Sequence, residues 1–347
     1  MSDGSGQLVK LFGAVLELCK VDDGQTLAAL TEGGESAEFA DAFLIAAQER
    51  GATSFQVNVA KRIPQPGGRI KTTSLSGNGA AVTALKTADI IIDLVGLLWS
   101  AEQKELQAAG VRILTCKESV ENIVRMFPTP DLRRRVEAGA KMLGSARQMH
   151  ISSPAGTDIT YQLGQYPVVT QYGYTDEPGR WDNLPGGFLF TGGNNDEIDG
   201  VVVIAPGDII LPFKRYLSNP VHLIVERGRV TRIEGEHVDA ELLRDYMARW
   251  NDPRAYAVSH IGWGMDEKAS WNFLATSPAA SQSIGRDARA FYGNVLFSTG
   301  PNSELGGSND TGCHLDIPLR GCDLTLDGKQ IVEKGRIVPS DMRAAGR

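Results

Sequence analysis

The sequence predicts an α/β domain over residues 1–147 followed by a β-rich α+β domain over residues 148–347. Three observations carry this. At 347 residues the chain is long enough for two cores of ordinary size. From residue 36 onward, segments with helical apolar spacing alternate with short apolar runs, the pattern of a largely parallel sheet with crossover helices. From about residue 148 the pattern changes to alternating apolar residues punctuated by Asp-Gly and Arg-Gly steps, which read as antiparallel hairpins.

The elements follow in order. MSDGSGQLVKLFGAVLELCKVDD is apolar from Leu8 to Cys19, but it has no positive leader, and Lys10, Glu17 and Lys20 interrupt it. It therefore reads as an amphipathic helix and not a signal peptide. ESAEFADAFLIAAQERG has helical spacing and a stop at Gly51, SFQVNVA alternates as a strand, AAVTALKTA is a short helix, and DIIIDLVGL is a buried strand. A helix capped by Ser100 runs to Gly110, VRILTC returns as a strand, and TPDLRRRVEAGAKMLGSA is the last helix of the first domain. Beyond the break, MHISSPAGTDITYQLG, GVVVIAPGDIILP, VHLIVERGRVTRIEGE and CDLTLDGKQIVEKGRIV supply strands, and DAELLRDYMARW is an intervening helix.

Composition excludes several functions. A net charge of −7, with Arg133, Arg134 and Arg135 as the longest basic run, gives nucleic acid no broad basic face. No apolar run approaches the ~18 residues of a membrane helix. Cys19, Cys116, Cys313 and Cys322 show no CxxC spacing, as expected of reduced thiols in a cytoplasmic chain. GNGAAV at 77–82 lacks the full dinucleotide fingerprint, and there is no GxSxG for a serine nucleophile.

The chemistry concentrates in GCHLDIPLRGC, residues 312–322. Strand residues two apart share a face, so His314 and Asp316 project together while Cys313, Leu315 and Ile317 pack the other way. A buried His–Asp hydrogen bond is the bland reading, and two ligands of one metal the sharper one. Of the other histidines, His150, His222 and His237 lie in strand or loop settings that call for no ligand. His260 lies in AVSHIGWGMDEKASW, where glycines and a tryptophan mark a backbone that passes close to something. His260, His314 and Asp316 together would make the 2-His-1-carboxylate set of non-haem Fe(II), and the same three would also serve a catalytic Zn²⁺ with a bound water. The residues alone leave oxygenase and hydrolase open.

YTDEPGRWDNLPGGFLFT, GDIILPFKRY, SHIGWGMDEKASWN, LFSTGPN and CHLDIPLRGCDLTLDG resemble the 2,5-dihydroxypyridine 5,6-dioxygenase family, extradiol-type ring-opening enzymes on the fold of the M29 leucyl aminopeptidases. The resemblance implies Fe(II) on His260, His314 and Asp316. It also implies Glu177 as an acid/base group, Ser298 as a further catalytic contact, and Arg289 and Ser298 as contacts to a small aromatic or heteroaromatic substrate. The expected reaction is ring cleavage with both atoms of O₂, giving an N-formylmaleamate-like product in pyridine or nicotinate degradation, by a homo-oligomer without membrane or nucleic-acid partners. The peptidases' second-metal glutamate is matched by Phe188, so one metal is expected; a one-metal hydrolase, aminopeptidase-like or amidohydrolase, is the alternative, and a non-catalytic binding relative is a third. The family's pocket histidines are matched by Ser100-Ala101 and Asp182-Asn183, which leaves the preferred ring open.

Overall fold

The computed structural model describes residues 3–62, 72–97, 99–278 and 283–346. They form two compact units, one of Met1–Pro128 with Tyr172–Gly186, the other of Thr129–Gln171 with Gly187–Arg347.

The first unit is built on a five-stranded, wholly parallel sheet in the order Thr53–Val59, Thr26–Glu32, Ile90–Asp93, Arg112–Cys116, Trp181–Leu184. Parallel neighbours require long crossovers, and the helices Ala37–Glu49, Gly79–Leu85 and Ala101–Ala108 provide them. Two of these strands escape the sequence reading. In Thr26–Glu32, Leu27, Ala28, Ala29 and Leu30 are all fully buried, so the strand shows no alternation, and its Ala/Leu content looks helical. Trp181–Leu184 is polar in sequence and joins the sheet as an edge strand beside Arg112–Cys116.

DIIIDLVGL ends as a strand at Asp93, earlier than its apolar run. The Asp93 carboxylate accepts from the amides of Val95, Gly96 and Leu97 at 3.0, 2.7 and 2.9 Å and from the Thr115 hydroxyl at 2.8 Å, turning the chain out of the sheet. GNGAAV is a helix start: Asn78 accepts from the Ala81 amide at 3.1 Å.

The second unit carries an eight-stranded antiparallel sheet and a five-stranded antiparallel sheet. The turns Arg227-Gly228 and Asp327-Gly328 have positive φ at both residues, the backbone twist that suits two-residue hairpins. The five-stranded sheet runs Leu315–Leu319, Val295–Thr299, Val258–Gly264, Phe188–Gly192, Val169–Gln171 and holds every sequence-predicted metal ligand on or beside its strands.

The chain does not divide at residue 147. Helix Pro130–Ser145 belongs to the second unit: Gly139 lies so close to Leu189, Trp263 and Met342 that a methyl group there would stand 3.0–3.3 Å from them. Arg135, the last of the basic run, is fully buried, donates to the Met265 carbonyl at 2.6 Å and pairs with Glu267 at 2.6 Å and Asp131 at 2.8 Å. A helix's membership is set by the face it covers, which local periodicity does not reveal. The chain then returns to the first unit for residues 172–186.

The glycines after His260 serve the sheet itself. A Cβ on Gly262 would lie 1.9 Å from the Leu189 carbonyl, and one on Gly264 would lie 2.2 Å from that of Phe291. The close neighbour anticipated from the sequence is thus the adjoining backbone. Gly262→Ala is expected to destabilise the protein by about 3 kcal/mol or more, because strand backbone cannot yield as a side chain would. Chemical denaturation checks this, and an unchanged midpoint would contradict the close approach.

Candidate metal centre

His260 lies mid-strand opposite Gly192, 6 % exposed, with its ring 4.7 Å from that of Phe190. Asp316 lies on the Leu315–Leu319 strand opposite Ser298, and His314 immediately precedes that strand. Nε2 of His314 is 3.1 Å from Oδ1 of Asp316, and Nε2 of His260 is 3.3 Å from the same oxygen. One ligand atom from each of the three lies within 4.8 Å of the other two. Sequence separation of more than fifty residues is closed by one intervening strand, Val295–Thr299.

The second oxygen of Asp316 faces Arg289, whose Nε and Nη2 donate to Oδ2 at 2.7 and 2.6 Å, while Nη1 donates to the Ile284 carbonyl. Burial opposes charge on Asp316, but Arg289 foremost, then His314, hold its carboxyl well below the ordinary range. Burial likewise disfavours charge on His314, yet the Asp316 carboxylate raises it above the usual imidazole value. Nδ1 of His260 is buried with no hydrogen-bond partner among the described residues.

The donor set suits a divalent ion. Two ligand atoms about 2.1 Å from a shared ion and at right angles to each other lie about 3 Å apart, close to the 3.1 and 3.3 Å found. Two imidazoles and a carboxylate suit Fe(II) or Zn²⁺.

A family model of 2,5-dihydroxypyridine 5,6-dioxygenase matches residues 7–339, nearly the whole chain. The chain belongs to the 2,5-dihydroxypyridine 5,6-dioxygenase family. A Pseudomonas putida protein named 2,5-dihydroxypyridine 5,6-dioxygenase is 46% identical over 351 residues, covering 99% of this chain and 100% of that protein. The solved structure of the dioxygenase from Pseudomonas putida superposes with a TM-score of 0.94 at 44% identity, covering 98% of this chain and 99% of the other. Wild-type AmpT from Thermus thermophilus superposes with a TM-score of 0.60 at 15% identity, over 96% and 99% of the two chains, a likeness of fold alone. Membership of the dioxygenase family makes the chain a ring-cleaving dioxygenase.

The remaining sequence-predicted positions sort as follows. Phe188 packs with Phe190, Leu296 and Leu305, its ring 5.7 Å from that of Phe190. Glu177 is exposed in the turn before Trp181–Leu184 and belongs to the first unit, whereas Arg289, Ser298 and the three candidate ligands belong to the second. Arg289 and Ser298 both contact candidate ligands, Arg289 the carboxylate of Asp316 and Ser298 the backbone of His260. Neither contact is legible in the sequence, because the Ser298 contact depends on strand register and the Arg289 contact on the placement of the helix Arg286–Ala290.

At the positions that the resemblance matches to pocket histidines, Ser100 and Asp182 bond locally. Ser100 caps its helix by accepting from the Gln103 amide at 3.1 Å, and buried Asp182 accepts from the amides of Tyr172 and Gly173 and pairs with Arg180 at 2.7 Å. Of the other histidines, His150 pairs with Asp158 at 2.8 Å, and His222 and His237 are exposed. Among the described residues no helix is long and apolar enough to cross a membrane.

Proposed function

We propose that this chain opens a dihydroxypyridine ring, 2,5-dihydroxypyridine or a close relative, at a mononuclear Fe(II) centre held by His260, His314 and Asp316. The observation that carries this is the convergence of those three donors on one site, in a chain of the dioxygenase family. Bound there, Fe(II) would supply adjacent open positions for ring and O₂ and the redox chemistry that O₂ requires. Both oxygen atoms enter the product as the C5–C6 bond breaks, giving an open-chain N-formylmaleamate-like acid amide.

The chain's own residues have distinct tasks in this reading. Arg289 holds Oδ2 of Asp316, which leaves Oδ1 directed at the two imidazoles. Its guanidinium keeps N–H groups beyond those three bonds with which to meet a ring substituent. Four buried, unpaired cysteines fit a reducing, cytoplasmic setting.

Titration of metal-free protein with Fe(II), followed by loss of ring absorbance on adding 2,5-dihydroxypyridine, tests the reading. Binding is expected to saturate near one ion per chain, since the phenyl ring of Phe188 offers no donor. Two tightly bound ions per chain, or no ring loss with one ion bound, would turn the assignment toward a hydrolase.

A further inference from the structure

We infer that Ser298 is a positioning residue for the ligand His260, holding that histidine's peptide across a β-bulge, and that its hydroxyl does not donate to the substrate. The inference rests on the metal-centre reading above and changes the part assigned to this residue.

The register shows the need for it. Between the His260 and Ser298 strands, Val258 pairs with Thr299 and Ile261 with Phe297. Two residues, Ser259 and His260, therefore face the single residue Ser298, the arrangement of a bulge, in which one residue's ladder bonds go unmade. His260 is that residue, and its N–H and C=O both turn toward Ser298. The Ser298 hydroxyl supplies both missing partners: Oγ accepts from the His260 amide at 2.9 Å and donates to the His260 carbonyl at 3.1 Å.

A hydroxyl has one proton to give. With that proton on the His260 carbonyl and the residue 0 % exposed, Ser298 has no donor left for a ring hydroxyl or ring nitrogen. On its other side Ser298 pairs with Asp316 in register. It thus stands between two candidate ligands, bonded through its side chain to the peptide of one and paired through its backbone with the other. The bulge is what tilts His260 out of the regular ladder, and with Nδ1 unpartnered and the ring against Phe190, the peptide is the polar handle by which the imidazole is aimed. Outer groups that orient a metal ligand typically contribute a factor of ~10–100 in metal affinity.

Two measurements on Ser298→Ala and Ser298→Thr test this. Amide hydrogen exchange is read on folded, metal-free protein, and Fe(II) affinity by anaerobic chelator competition. In the wild type the His260 amide is expected to be protected; in Ser298→Ala it should exchange at least about tenfold faster, with Fe(II) affinity falling ~10–100-fold and KM for 2,5-dihydroxypyridine unchanged. Ser298→Thr, which keeps the hydroxyl, should restore protection and most of the affinity. An unprotected His260 amide in the folded wild type overturns the inference without recourse to any variant. So does a Ser298→Ala protein that binds Fe(II) as the wild type does and shows only a raised KM, the signature of a substrate contact. A wild-type chain that binds no Fe(II) while its His260 amide is protected overturns the metal reading, and with it the functional part of the inference, but leaves the bulge contact standing.

Discussion

Replacing His260, His314 or Asp316 with alanine is expected to abolish ring opening in each case while affecting the fold very differently. Each variant leaves two protein donors where three converge within 4.8 Å, so Fe(II) affinity should fall by at least the ~100-fold that marks the upper end for losing a mere orienting partner. Stability should separate the three. His314 is partly exposed, its side chain 22 % accessible, and its removal should cost the metal-free protein little. Loss of His260 leaves a space beside Phe190, but also removes an unpaired buried nitrogen. Asp316→Ala strands the Arg289 guanidinium, which is largely buried and has both Nε and Nη2 on the lost carboxylate. Removing one member of such a pair costs about 3 kcal/mol or more. Metal analysis, denaturation of metal-free protein and ring absorbance, made on all three variants, check the pattern. Full iron content in His260→Ala would mean that the third ligand lies elsewhere.

The legibility of this site in the sequence follows a physical divide. His314 and Asp316 can be paired from their spacing because a two-residue period is a local property, and in the structure their Nε2 and Oδ1 lie 3.1 Å apart although His314 falls just before the strand. His260 is marked by the texture around it, although the glycines there accommodate neighbouring backbone, that of Leu189 for Gly262 and of Ala290 and Phe291 for Gly264. What no local pattern holds is register. That Ser298 stands opposite Asp316 and bridges the His260 peptide depends on a one-residue slip between strands more than thirty residues apart in sequence. That Arg289 grips Oδ2 depends on where the short helix Arg286–Ala290 comes to rest. The same divide runs through the fold. The hairpins at Arg227-Gly228 and Asp327-Gly328 are encoded in two residues each, whereas Thr26–Glu32 becomes a strand because parallel neighbours cover it on both edges, against the helical preference of its alanines and leucines.

The identity of the ion decides the chemistry, because the three donors would accept Fe(II) and Zn²⁺ alike. Activity is expected to require Fe(II), to stop under argon, and to consume about one O₂ for each ring opened, as the insertion of both oxygen atoms demands. Zn²⁺ should bind the same three side chains and inhibit, since it has no redox chemistry to offer O₂. The measurement is dissolved oxygen and ring absorbance followed together after anaerobic loading with either metal. The panel of substrates should include hydroxypyridines of different substitution and hydroxylated benzoates. The resemblance matches the family's pocket histidines to Ser100-Ala101 and Asp182-Asn183, and Ser100 and Asp182 each accept from backbone amides, so a preference for a differently substituted ring is the expected result. Loss of a charge-assisted hydrogen bond is worth about 1.5–3 kcal/mol, enough to lower turnover of 2,5-dihydroxypyridine roughly tenfold or more relative to a better-matched ring. Turnover that continues under argon, or that Zn²⁺ supports as well as Fe(II), cannot be reconciled with a dioxygenase and would identify the three donors as a hydrolytic site.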